Sequence, residues 1–102
     1  MLFVALAKMS NYYVYIIRSI RNPKKIYKGI TNNLERRLLE HNSGHSAFTA
    51  KFIPWKIETV IVFSDRNVVH DFELYLKTGS GIAFTRKHLL KSNNFEELWT
   101  DS

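Results

Sequence analysis

Two short runs of aromatic and β-branched residues, residues 12–18 (YYVYIIR) and Ile26–Thr31 (IYKGIT), flank Asn22-Pro23. Runs of this kind, bounded by turn residues, predict two strands joined as a hairpin. A chain of 102 residues has room for one core, so the remaining segments must cover this hairpin. Asn32 is placed to cap a helix, with Glu35 three residues on to close a capping box. That helix is predicted to run to about Asn42 and to end at Ser43-Gly44. Residues 45–54 read as a loop. Trp55–Phe63 (WKIETVIVF) alternates and predicts a third strand. Ser64 or Asp65 opens a second helix with Val68, Val69, Phe72, Tyr75 and Leu76 on one face. Gly79 and Gly81 are expected to stop it, and a short helix is expected around residues 84–92. The fold class is α/β of the α+β kind: a small three-stranded, largely antiparallel sheet flanked by helices, in the order β-β-α-β-α with a further short helix. Residues 1–10 are expected to be a disordered or extended lead, 11–92 the domain, and 93–102 a polar tail.

Composition narrows the chemistry. There is no cysteine, which excludes disulfides, thiolate zinc sites and a cysteine nucleophile. This fits a reducing compartment, and a cytoplasmic location is expected. The opening MLFVALAKMS holds a short apolar run. It has no basic stretch before it and is too short for a membrane span, so no membrane association is expected. The net charge of +6 is uneven. Residues 1–51 carry nine Lys or Arg against Glu35 and Glu40, whereas residues 52–102 carry six against seven acids. A one-sided positive field attracts polyanions, although surface lysines also serve solubility alone.

Side chains alternate along a strand, so Tyr13, Tyr15 and Ile17 share one face, and Tyr27 and Gly29 point the same way on the partner. Two phenols then stand near a glycine, a residue that in strands marks close backbone or ligand approach. Ordinary aromatic packing is the plainer reading. On the first helix, Leu34 and Leu38 define the buried stripe. Arg37 borders it and His41 lies one turn later on the same side. Arg36 and Glu40 fall on the solvated side, where they can pair. A guanidinium at the mouth of a sheet suits bidentate phosphate binding, but its stem can equally cover apolar surface. His41 taken alone reads as a core or capping histidine. Glu73, just past the apolar stripe of the second helix, reads as surface unless the fold aims it at the other groups; a carboxylate can hold magnesium.

Taken in order, these residues resemble the GIY-YIG nuclease family. That family's Gly-Ile-Tyr and Tyr-Ile-Gly elements correspond to Tyr13-Val14-Tyr15 and Tyr27-Lys28-Gly29. The string TNNLERRL from Thr31 to Leu38, continuing through His41-Asn42-Ser43-Gly44, is similar to the family's helix, with its functional arginine at Arg37. The family glutamate falls on Glu73, followed by Leu76-Lys77-Thr78-Gly79-Ser80-Gly81. This last run looks like the small single-domain bacterial members that resemble the N-terminal domain of the C component of the ABC excinuclease. The resemblance spans roughly residues 12 to 90. The chain departs from the pattern at Tyr13 (glycine in the family name), at Lys28 (a hydrophobic residue), at Ile30 (a lysine in excinuclease-type members) and at Ile82 (often arginine). These departures bear on the strength of catalysis more than on the fold.

The resemblance implies a metal-dependent endonuclease that hydrolyses phosphodiester bonds, with structure-specific or nonspecific cutting in DNA repair or recombination. Glu73 would ligate Mg²⁺ or Mn²⁺, and Arg37 would bind a non-bridging oxygen in the transition state. Tyr27 would position or deprotonate the attacking water, Tyr15 would orient it, and His41 would supply a hydrogen bond or relay. Arg21, Lys24, Lys25, Lys28 and Lys51 would follow the nucleic-acid backbone, DNA in preference to RNA, giving affinity without sequence reading. A protein partner would be needed for sequence specificity. Two other readings stay open: a non-catalytic nucleic-acid-binding module of the same fold, and a domain whose basic half meets an acidic protein.

Overall fold

The computed structural model of the chain describes residues 11–91. The expected lead (1–10) and tail (93–102) lie outside the described residues. The three β-prone segments are strands: β1 (Tyr12–Ser19), β2 (Ile26–Thr31) and β3 (Trp55–Phe63). They form one antiparallel sheet in the order β2-β1-β3. The most apolar run thus takes the centre, where both faces are covered, and residues 14–19 are all buried.

Helices pack on both faces. α1 (Leu34–Asn42) and the short α2 (Ala47–Ala50) cover the face that carries Tyr15, Ile17 and Trp55, with Leu34, Leu38 and Phe52 packed against it. α3 (Arg66–Leu76) and α4 (Gly79–Phe84) cover the other face, where Val14, Val69 and Leu76 form the core with Phe63, Phe72 and Phe84 around them. A π-helical turn, Thr85–Leu89, closes the described chain. Among the described residues no helix is long and apolar enough to cross a membrane.

The structure corrects three local expectations. The cap of α1 is Asn33, not Asn32: its side chain accepts from the Arg36 amide at 3.0 Å. Thr31 ends the strand as expected, and its hydroxyl accepts from the Asn33 amide at 3.0 Å, so Asn32 is taken up in the turn and the cap falls on Asn33. Residues 45–54 are not all loop, since they contain α2. Finally, α3 ends at Leu76, before the glycines, and Gly79 and Gly81 lie inside α4. Thr78 separates the two helices by accepting from the Gly81 amide at 3.1 Å.

A β-bulge sets the geometry of β3. Ile16 pairs with Thr59 but Ile17 pairs with Ile57, which leaves Glu58 as the extra residue. One extra residue reverses the in-out alternation beyond it. Trp55 and Val60 therefore reach the same face despite their odd spacing. The bulged Glu58 grips Arg18 at 2.6 and 2.9 Å, and that guanidinium also donates to the Lys91 carbonyl at 2.8 Å. Burial raises the Glu58 carboxyl pKa, but the hydrogen bonds from Arg18 and the Lys91 amide, with the charges of Arg18 and Lys56, outweigh it and leave it lowered. A lowered folded pKa gives stability that is present above the unfolded value of about 4.3 and lost as pH falls through the folded value. The thermal midpoint is therefore expected to drop as pH falls below about 4.3, and Glu58→Gln should remove about one proton from that dependence. An equal slope in both proteins would show that the pair does not titrate with folding.

Candidate active site

The hairpin register places Tyr15 opposite Gly29 and Ile17 opposite Tyr27. A side chain at position 29 would stand where the Tyr15 phenol passes: a Cβ there would lie 2.6 Å from the hydroxyl and 2.8 Å from the ring carbon bearing it. The glycine therefore lets the phenol lie flat across the edge strand toward α1. Gly29→Ala is expected to push the phenol aside at a cost of about 1–3 kcal/mol. Urea unfolding measures that cost, and a wild-type midpoint would show that the ring moves freely.

Tyr15 is the centre of a hydrogen-bonded chain. Its hydroxyl receives the Arg37 Nε–H at 3.2 Å and lies 2.8 Å from His41 Nε2. His41 Nδ1 lies 2.8 Å from the Thr49 hydroxyl, which in turn donates to the Ser46 carbonyl at 3.4 Å. With a neutral imidazole, one set of protons satisfies every link. The Thr49 hydroxyl spends its only proton on the Ser46 carbonyl, so His41 donates to it from Nδ1, and the bare Nε2 accepts from the Tyr15 phenol. Tyr15 is 2% exposed and His41 0%. Burial raises the Tyr15 pKa, which the Arg37 hydrogen bond and charge only partly offset. Burial, then the Arg37 charge, lowers that of His41. Both groups are thus neutral near pH 7, as this proton arrangement requires.

α1 supplies both Arg37 and His41 because residues four apart share a helix side. The guanidinium also donates from Nη1 to Glu40 at 3.0 Å. Hydrogen bonds to Glu40 and then Tyr15 raise the Arg37 pKa, so it is a permanent cation. Arg36 approaches Glu40 at 3.8 Å, as the helical pattern expects. Tyr27, half-buried, packs against His41 with ring centroids 4.8 Å apart and planes tilted by 59°, and stands 6.3 Å from the Tyr15 ring. Tyr15, Tyr27, Arg37 and His41 are thereby assembled on one face.

Glu73 has a different place. It lies on α3, which covers the opposite face, and its carboxylate meets Lys77 at 3.4 Å, with 24% of the side chain exposed. Among the described residues no cluster of three or more His, Asp or Glu could cage a metal ion. A lone carboxylate does suit a hard ion such as magnesium, which binds through one or two carboxylates together with substrate phosphates and water.

The five basic residues divide. Arg21, Lys24 and Lys25 are exposed in and beside the β1–β2 turn, and Lys51 is exposed at the C-cap of α2. Lys28 points to the other face and donates to the Leu76 carbonyl at 3.3 Å, closing the C-terminus of α3. Burial, then the nearby Arg86 charge, lowers its pKa. Pattern reading missed Thr49 and the Glu40 contact to Arg37. A four-residue helix is too short to show periodicity, so Thr49 gave no signal. The i, i+3 spacing of Arg37 and Glu40 did allow their pairing.

The GIY-YIG catalytic domain model matches residues 11–83. The chain belongs to the GIY-YIG family. Among curated proteins, the UPF0213 protein YsiG of Lactococcus lactis is 34% identical over 70 residues, covering 68% of this chain and 65% of the relative. A UPF0213 protein of Vibrio campbellii is 35% identical over 78 residues, 76% of this chain and 70% of the relative. The structure-specific endonuclease subunit SLX1 of Debaryomyces hansenii is 39% identical over 69 residues, 61% of this chain but 20% of that protein. The matched segment thus spans a fifth of SLX1 and about two thirds of YsiG. The antiparallel sheet with helices on both faces agrees with a GIY-YIG domain.

Proposed function

We propose that this domain is a metal-dependent endonuclease that hydrolyses phosphodiester bonds in DNA, with structure-specific or nonspecific cutting. The observation that carries this reading is the chain from Arg37 through Tyr15 and His41 to Thr49, with Tyr27 beside it. It puts a fixed cation next to a route for one proton. Arg37 binds a non-bridging phosphate oxygen and stabilises charge as it builds in the pentacoordinate transition state. Tyr27 positions the attacking water. As the water oxygen bonds to phosphorus, the bond to the leaving oxygen breaks with its electron pair staying on that oxygen, which takes a proton from solvent. The water's proton replaces the one that Tyr15 gives up. Tyr15, already donating to a neutral imidazole, hands its own proton to His41 Nε2. Glu73 would hold Mg²⁺ or Mn²⁺, and such an ion, when bound, neutralises charge on the phosphate and the leaving oxygen. Arg21, Lys24, Lys25 and Lys51 follow the backbone, whereas the inward bond of Lys28 withdraws it from that path. The name of the SLX1 relative, a structure-specific endonuclease subunit, supports a structure-specific substrate and a protein partner. A role in repair or recombination and a cytoplasmic location go with this reading.

A second reading, binding without cutting, draws on the ion pair of Glu73 with Lys77 and on its helix covering the opposite face. Incubation with labelled linear, nicked, flapped and branched DNA and RNA, in Mg²⁺, Mn²⁺ or EDTA, separates the two. Metal-dependent cutting of a DNA substrate supports the enzyme. Binding with no cutting in any metal supports the module.

The pH profile tests the relay. His41 must be neutral to take the Tyr15 proton, and its pKa lies below the ordinary 6.5 because of burial and Arg37. The acid limb of the cleavage rate is therefore expected at pH below 6.5. A limb at or above that value would remove His41 from the proton path.

A further inference from the structure

We infer that Phe48 is a stacking platform for an unpaired base next to the scissile phosphate, so that the preferred substrate is DNA with a single-stranded or frayed nucleotide at the cut. The inference rests on the proposed DNA-binding role of this face, but not on cutting. Phe48 is 47% exposed and stands on α2, the helix that also delivers Thr49 to His41. A buried phenylalanine there would need no explanation. The ring stands half-open at the wall of a polar, charged site, where its free face is available to a flat partner.

The surroundings of the ring point to a base. Phe48 lies 6.2 Å from the Tyr27 ring and 5.7 Å from Phe52, and Tyr27 continues the row to His41 at 4.8 Å. The row of rings therefore begins inside the proton-relay cluster, comes to the surface at Phe48 and returns through Phe52 to the buried Trp55, 6.4 Å further on. The Lys25 ammonium sits 5.2 Å from the Phe52 centroid, which places a cation beside the outer rings. Rings for base faces beside cations for phosphates are what single strands require, because every base has a π-face and every linkage a charge. In a duplex the base faces are already stacked, so the ring has nothing to accept. The half of the chain that holds this platform carries the +7 charge, which matches a polyanion and not an acidic peptide in particular. The row of aromatics is what favours nucleic acid.

Binding in EDTA tests this without reference to catalysis. The probes are a single-stranded DNA oligonucleotide containing 2-aminopurine, whose fluorescence is quenched by stacking, and a blunt duplex of the same sequence. The expected result is quenching on binding by the natural protein and about tenfold weaker single-strand binding by Phe48→Ala, with its quenching lost. Duplex binding should change less than twofold, and Phe48→Trp should restore both readouts. Circular dichroism of Phe48→Ala confirms that the fold is retained. Equal affinity and quenching in Phe48→Ala and the natural protein would overturn the platform, as would equal losses on single strand and duplex. If no metal supports cutting but the single-strand effect stands, the nuclease reading fails and the platform survives.

Discussion

Replacing Arg37 with alanine is expected to slow strand cleavage by about 100- to 1000-fold while the domain stays folded. That range is typical when one fixed donor to a developing oxyanion is lost. The structure gives Arg37 few duties in the core: its side chain is 32% exposed, and the guanidinium meets Glu40 and the Tyr15 hydroxyl. Removing it leaves the Tyr15–His41–Thr49 links with all their partners. Arg37→Lys keeps a charge but not the planar fork that holds one oxygen with two N–H groups, so it should recover only part of the rate. Single-turnover rates at saturating enzyme separate this effect from weaker binding. Glu73→Gln is the companion measurement. It should lose metal-dependent cutting and keep DNA affinity in EDTA. A wild-type rate in Arg37→Ala would remove the guanidinium from the chemistry, whatever Glu73→Gln does.

The second large effect concerns stability. Gly81→Ala is expected to destabilise the domain by about 3 kcal/mol, the upper end of overpacking costs. A Cβ at position 81 would meet the Tyr75 carbonyl oxygen at 1.9 Å and the Leu76 Cα at 2.6 Å. Both are backbone atoms of α3, so no rotamer change relieves the clash. The helices must separate, and α4 carries Phe84 into the core built on Val14, Val69 and Leu76. For a domain of this size each kcal/mol shifts the midpoint by about 4–8 °C, so a fall of at least about 10 °C is expected in calorimetry. Gly79→Ala is the control, because nothing lies within 4 Å of a Cβ there. Equal midpoints for the two variants would mean that the α3–α4 corner yields easily.

Much of this arrangement can be read in the residues. The period-two pattern of residues 12–18 and Ile26–Thr31 puts Tyr15, Tyr27 and Gly29 on one face, and the register adds that Tyr15 and Gly29 are direct partners. The four-residue step from Arg37 to His41 places both beside the phenol. The chain of motifs up to Gly81 points to the family whose catalytic domain matches residues 11–83. The bulge at Glu58 is hidden because the alternation of residues 55–58 gives way after Thr59 to four apolar residues in a row, which fix no face. Where an extra residue is inserted depends on the partner strand, and a lone strand does not encode it. The helix at Ala47–Ala50 is hidden because a single turn has no repeat to detect. Glu73 is the least legible group, since the same helical spacing serves a surface ion pair or a ligand turned toward substrate.

The hydrogen-bonded chain through Tyr15 also bears on when the protein can be dangerous to its host. Its links join residues 22 and 26 positions apart along the sequence, and Arg18 holds Glu58 across 40. Such contacts form only after distant segments have met, late in assembly. A nascent chain that has exposed its cationic first half still lacks β3, the partner that completes the sheet behind the guanidinium, phenol and imidazole. Hydrolytic competence would then switch on with completion of the fold, so that half-made copies could cling to nucleic acid without breaking it.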